Sequence, residues 1–178
     1  EELGLGTAFT RAEQMAACPI GIGNSAGICC KNCFMGPCRL TKEGQVGVCG
    51  ATVETIAARN LARAVAAGSA AHSDHGRDVA FTLLAAAEGQ AQGYEIRDAT
   101  KLMAVARKFG VATDKRTKEE IARDVANKAI SEFGQQRGEL SYLSTAPAKR
   151  QAIWREHGIA PRGIDREVVE ILHRTHMG

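Results

Sequence analysis

The chain has 178 residues, of which 44% are apolar and 24% charged, with a formal net charge of +3. This length supports one domain with a true hydrophobic core and a small appended lobe, while the mild charge argues against a dedicated nucleic-acid binder, which needs a strong basic patch. Aromatic residues contribute only 4% and alanine is abundant, a balance that favours closely packed helices over a β-sandwich.

In chain order, residues 1 to 17 predict a short helix or arm, and residues 18 to 50 form a glycine- and cysteine-rich segment with neither helical nor alternating periodicity. Such a segment has few apolar side chains of its own and is expected to be held by a metal. From Thr52 the pattern turns helical. Thr52 is a candidate N-cap for a helix through Ala67, with Val53, Ile56, Ala57, Leu61 and Val65 near one face and Gly68 as terminator. A second helix is predicted from Ser69 to about Glu88, and Asp98 caps a third that ends at Gly110. Thr117 with Glu120 reads as a capping box for a fourth, carrying Ile121, Val125, Ala129 and Phe133 and ending at Gly134. Pro147 suits the first turn of a fifth, reaching about His157, and Asp165 caps a sixth with Val168, Val169, Ile171 and Leu172 apolar. No convincing strand and no repeat is present. The expected fold class is all-α: a helical bundle (51–178) with an N-terminal cysteine-rich, metal-bound loop segment (1–50).

No apolar run approaches a membrane span, and no charged-then-apolar leader precedes the first predicted helix, so a cytoplasmic protein is expected. The chain opens on Glu1 and closes at Met177-Gly178 directly after a helical pattern, which suggests part of a longer polypeptide.

All six cysteines lie between residues 18 and 49, five of them in the run Cys29-Cys30-x2-Cys33-x4-Cys38-x10-Cys49. Thiolates select zinc, copper(I) or iron–sulfur clusters. Disulfides fit poorly, because cytosolic thiols stay reduced and the vicinal Cys29-Cys30 pair is ill suited to ordinary bridging. Structural zinc usually takes two close pairs separated by a spacer, whereas here one close pair, Cys30 and Cys33, is followed by single cysteines at 38 and 49. That progression fits a chain wrapping the larger iron–sulfur cluster, and the glycines at 36, 44, 47 and 50 allow close backbone approach. Cys30, Cys33, Cys38 and Cys49 satisfy a cubane. Cys18 and Cys29 cannot complete a second cluster alone, so a second copy of the chain would supply the other two ligands; the alternative is that Cys18 is a buried or free thiol.

His72, His75 and Asp78 follow one another at three-residue intervals on one helical face. Ionisable groups in file can pass protons, and histidine titrates near neutrality. The spacing alone favours a hydrogen-bonded, partly exposed pair that caps the neighbouring structure, since polar pairs three residues apart are common on helices.

The segments Cys29-Cys30-Lys31-Asn32-Cys33-Phe34-Met35-Gly36-Pro37-Cys38-Arg39, Val46-Gly47-Val48-Cys49-Gly50, Ala58-Arg59-Asn60-Leu61, Ala71-His72-Ser73-Asp74-His75-Gly76-Arg77 and Gly163-Ile164-Asp165-Arg166-Glu167 together resemble the N-terminal region of the anaerobic nickel–iron carbon monoxide dehydrogenases. The resemblance runs over nearly the whole chain. It implies the helical N-terminal domain of a longer catalytic subunit whose other domains are α/β and hold the ligands of the nickel–iron–sulfur cluster C. It also implies that Cys30, Cys33, Cys38 and Cys49 bind a 4Fe-4S cluster, B, and that Cys18 and Cys29 contribute half of cluster D across a homodimer axis. His72 would be the acid–base group beside the nickel–iron centre and His75 the next station of a proton path. Ten residues separate Cys18 from Cys29, a longer interval than many members have, so cluster D stays open between 2Fe-2S and 4Fe-4S. Where some members continue the histidine row, this chain has Asp78 and Phe81.

The implied reaction is reversible oxidation of carbon monoxide with water to carbon dioxide, two protons and two electrons, the electrons passing to a ferredoxin-like acceptor. An acetyl-CoA synthase is a further candidate partner that the resemblance implies for the parent enzyme. Two rivals stand: a hybrid-cluster (hydroxylamine reductase) type enzyme, against which the vicinal cysteines and the His72 segment speak, and a non-enzymatic electron-transfer or zinc-stabilised module.

Overall fold

A computed structural model of the chain describes Gly4 and residues 28–177. Cys18 and the helix or arm expected over residues 1 to 17 lie outside the described residues. The chain divides into two compact units, one holding the chain up to Ala64 together with its last residues from Thr175, the other Val65–Arg174.

Two short strands form where no strand was expected: β1 (Ile28–Cys30) and β2 (Cys38–Leu40), antiparallel, with Ile28 opposite Leu40, Cys29 opposite Arg39 and Cys30 opposite Cys38. Alternation needs about four residues before it can be read, and three-residue strands built partly of cysteines carry none. The chain reverses through Gly36, whose amide donates to the Cys33 carbonyl at 3.2 Å, and the Gly36-Pro37 bond is cis. A Cβ at Gly36 would stand 3.0 Å from the Cys30 carbonyl oxygen and 3.3 Å from the Cys38 nitrogen, so the reversal needs a residue without a side chain. Cys30, Leu40, Ala51 and Ile56 make the small core of this unit, with Cys38 and Ala57 against it.

Helix α1 runs unbroken over Val53–Ala87, about 52 Å at 1.5 Å per residue. The Thr52 cap is as expected: its Oγ1 accepts from the Thr55 amide at 3.3 Å. The two helices predicted on either side of Gly68 are one. A glycine stops a helix by turning to positive φ, and Gly68 does not; Gly89 does, at φ 72°. Within an alanine-rich run an interior glycine costs only about 0.5–1 kcal/mol, too little to break the helix.

In the second unit, α2 (Ala99–Lys108) is capped as predicted by Asp98, whose carboxylate accepts from the Lys101 amide at 2.8 Å. Helix α3 (Lys118–Phe133) opens on the predicted capping box: the Glu120 amide donates to Thr117 Oγ1 at 3.2 Å, and the Thr117 amide to Glu120 Oε2 at 2.9 Å. The two helices close over Leu102, Ala106, Ile121, Ala122 and Val125. An unpredicted 3₁₀ helix, Ser141–Thr145, follows, its first amide donating to the buried Glu132 carboxylate at 3.1 Å. Helix α4 spans Ala148–Glu156 with Pro147 at its N-cap. Helix α5 spans Ile164–Met177, so Asp165 lies inside the first turn and is not the cap. Its carboxylate instead takes two bonds from Arg77, at 2.8 and 2.7 Å, and the same guanidinium lies 5.0 Å over the Phe133 ring. The helical bundle with a cysteine-rich N-terminal segment is the architecture expected. Among the described residues no helix is long and apolar enough to cross a membrane.

Candidate metal centre

The hairpin decides what the cysteines share. Directly opposed residues of an antiparallel pair project to one face, and successive residues of a strand to opposite faces. Cys30 and Cys38, paired across the strands, therefore present their thiols together, while Cys29 faces away and is 2% exposed. Cys33 sits in the turn between the strands. Cys49 arrives by a second tight turn, with the Gly47 amide bonded to the Ala51 carbonyl at 2.8 Å, the Gly50 amide to the Gly47 carbonyl at 2.8 Å, and Gly50 at φ 83°.

Cys30, Cys33, Cys38 and Cys49 line one cavity of about 140 Å³, whose apolar wall is Ala51 and Ile56. A Cβ at Gly47 would stand 3.7 Å from Cys38 Sγ, so a larger residue there would grow into the space beside that thiol. All five described thiols are free. Among the described residues no three Cys, His, Asp or Glu side chains close on a single-ion position; the four thiols instead ring a volume. Soft donors, four in number and spread around a cavity with glycine backbone at its edge, fit an iron–sulfur cluster.

The first turns of α1 clamp this hairpin. Asn60 Nδ2 donates to the Cys29 carbonyl at 3.3 Å, and Arg63 Nη1 to the Lys31 carbonyl at 3.2 Å. Arg59 lines the cavity with its Nη1 3.8 Å from Cys49 Sγ. That guanidinium, helped by the Ala51 backbone, holds the Cys49 thiol below its ordinary range, and the thiol in turn raises Arg59. With Ile56, these residues occupy positions i, i+3, i+4 and i+7, one stripe of the helix. From the other end of the chain, Asn32 Nδ2 donates to the Thr175 carbonyl at 3.3 Å and His176 joins the cavity wall. Arg59 and Asn60 figured in the sequence reading only within the segment Ala58-Arg59-Asn60-Leu61, with no role given to them, and Arg63 and His176 not at all. Polar residues at helical spacing read as a solvated face, and only the stripe shared with Ile56 could have marked them.

His72 and His75 both lie on the part of α1 in the second unit and are exposed. His72 Nδ1 is 2.7 Å from the Gly68 carbonyl oxygen. A carbonyl only accepts, so Nδ1 carries the hydrogen and Nε2 is the basic nitrogen. His75 and Asp78 border a mainly apolar groove of about 620 Å³ that also runs along Leu83, Ile96, Leu102 and Val105. Cys18, the remaining predicted ligand, is outside the described residues.

Comparison with known proteins gives the family of the chain. Residues 28–178 match the Prismane/CO dehydrogenase family. Carbon monoxide dehydrogenase 1 of Methanosarcina acetivorans is 47% identical over 182 residues, covering 100% of this chain and 28% of that protein. The beta subunit of the carbon monoxide dehydrogenase/acetyl-CoA synthase of Moorella thermoacetica is 36% identical, covering 97% of this chain and 26% of its own length. The as-isolated, nickel-free crystal structure of carbon monoxide dehydrogenase from Thermococcus sp. AM4 superposes with a TM-score of 0.84 at 46% identity, over 100% of this chain and 28% of that one. The chain thus spans little more than a quarter of its relatives' length. With a family match over nearly all the described residues and a shared fold at high identity, the chain belongs to the Prismane/CO dehydrogenase family.

Proposed function

We propose that this chain is the helical, cluster-bearing N-terminal region of an anaerobic carbon monoxide dehydrogenase, and that it carries electrons and protons for a reaction whose nickel–iron centre lies in other domains. The overall reaction would convert carbon monoxide and water to carbon dioxide, two protons and two electrons. The observation that carries this reading is the ring of Cys30, Cys33, Cys38 and Cys49 around one cavity, in a chain with relatives named carbon monoxide dehydrogenase. When bound there, a 4Fe-4S cluster supplies one-electron transfer.

The placement of the residues supports the following tasks. Cys30 and Cys38 hold two corners from paired strand positions, Cys33 and Cys49 two more from turns, and Ala51 and Ile56 keep water from one side. Cys29, on the opposite face of β1, serves with Cys18 as half of an intersubunit cluster completed by a second copy of the chain. His72, with its Nδ1 hydrogen committed to Gly68, offers Nε2 as acceptor and donor of a proton. His75 and Asp78 continue the file along the helix. A ferredoxin-like protein is the electron acceptor, and an acetyl-CoA synthase is a partner where the parent enzyme resembles the Moorella complex.

The test is made on the full-length protein purified without oxygen. Iron, sulfide and nickel should be present, and carbon monoxide should reduce a one-electron dye. His72→Ala should lower turnover while leaving the cluster spectra intact; unchanged turnover would remove His72 from the mechanism. Zinc without sulfide would overturn the reading at its base.

A further inference from the structure

We infer that Arg59 sets the electron affinity of the group held by Cys30, Cys33, Cys38 and Cys49, by presenting its guanidinium to the Cys49 sulfur at the cavity wall. This rests on the cluster reading above. Arg59 Nη1 stands 3.8 Å from Cys49 Sγ, within reach for an N–H donor to sulfur, and the residue lines the cavity. Its position is not a chance of a mobile side chain. It lies one turn beyond the fully buried Ile56 and beside Asn60, whose side chain is tied to the Cys29 carbonyl, so the helix delivers Arg59 to the thiols in a set register.

Four thiolates bring four negative charges into a small space. Uptake of one electron, from a low-potential one-electron reductant, adds one more negative charge and makes or breaks no bond. A permanently charged, weakly hydrated guanidinium next to a ligand sulfur favours the state with the extra charge, and hydrogen bonds to sulfur together with local charge are the protein's means of moving a cluster potential. Arg59 therefore holds the potential higher than the thiols alone would.

The experiment uses the full-length protein, purified without oxygen, with Arg59→Met and Arg59→Lys variants. Iron and sulfide are counted, and the cluster is titrated with a low-potential reductant while its paramagnetic signal is followed. The expected order of midpoint potentials is wild type highest, Arg59→Lys lower, Arg59→Met lowest, at equal iron and sulfide content. Coincident potentials would overturn the inference. Where Arg59→Met takes up no cluster, Arg59→Lys decides: it keeps the charge but loses the planar fork, so a potential below wild type supports the assignment and an equal one removes it. Wild-type protein without iron and sulfide would fail earlier, by overturning the cluster reading itself.

Discussion

Replacing Ile56 by alanine should loosen the cysteine cradle without changing a cysteine. Ile56 is 0% exposed, packs with Cys30, Leu40 and Ala51, and forms part of the cavity wall. The change deletes three buried carbons, which at about 0.8 kcal/mol each amounts to about 2.4 kcal/mol of lost transfer energy. Incomplete collapse around the gap adds to this, and buried isoleucine-to-alanine changes fall at about 2–5 kcal/mol. A value of about 3 kcal/mol is expected here, because among the described residues the cluster around Ile56 has four buried members and little to repack with. With a urea dependence of about 1–3 kcal/mol per molar, the unfolding midpoint should fall by about 1–3 M. The assay is urea titration of the cluster-loaded protein at a fixed incubation time, reading the visible iron–sulfur absorbance. Exposed Lys42→Ala in the same unit serves as control and should stay within about 0.5 kcal/mol of wild type. Coincident midpoints for Ile56→Ala and Lys42→Ala would refute the reasoning.

Two further outcomes are expected from the helical unit. A methyl at Gly163 would collide with the Gln135 backbone carbonyl and press on Arg166 at 3.3 Å, so Gly163→Ala should cost about 1–3 kcal/mol and lower the thermal midpoint read by helical circular dichroism; an unchanged melt would count against the close approach. Arg162, then Arg174, holds the Glu170 carboxyl at about 2, below its ordinary 4.5. A depressed folded value means the stabilisation is complete above about pH 4.5, declines as pH falls, and is gone below about pH 2. The urea midpoint of the helical signal should fall across that window, and Glu170→Gln should flatten the fall; an identical slope in the variant would remove Glu170 from the account.

What could be read from the sequence was what is local. Asp98 and the Thr117–Glu120 box announce helix starts because each cap is complete within four residues. The four cysteines that line one cavity could be picked out together because cysteine is rare in the chain and its spacing carries information. Gly68 misled because glycine identity says nothing of its φ, and only Gly89 adopts the positive value that stops the helix. Asp165 misled because a carboxylate near a helix start reads as a cap until Arg77, 88 residues away in sequence, claims it. The hairpin was too short to show alternation. Arg59, Asn60 and Arg63 gained meaning only once a hairpin with carbonyls and a thiol to receive them was in place.

The face reversal between Cys29 and Cys30 makes strand register a question of chemical identity. A slip of one residue between β1 and β2 would turn every side chain of the strand over. It would withdraw Cys30 from beside Cys38 and put Cys29 in its place, swapping two chemically identical thiols between two destinations. Nothing in the thiols themselves can prevent that exchange. What prevents it is the shape of the turn at Gly36 and the Asn60 bond to the Cys29 carbonyl, which give neighbouring, otherwise indistinguishable sulfurs separate addresses.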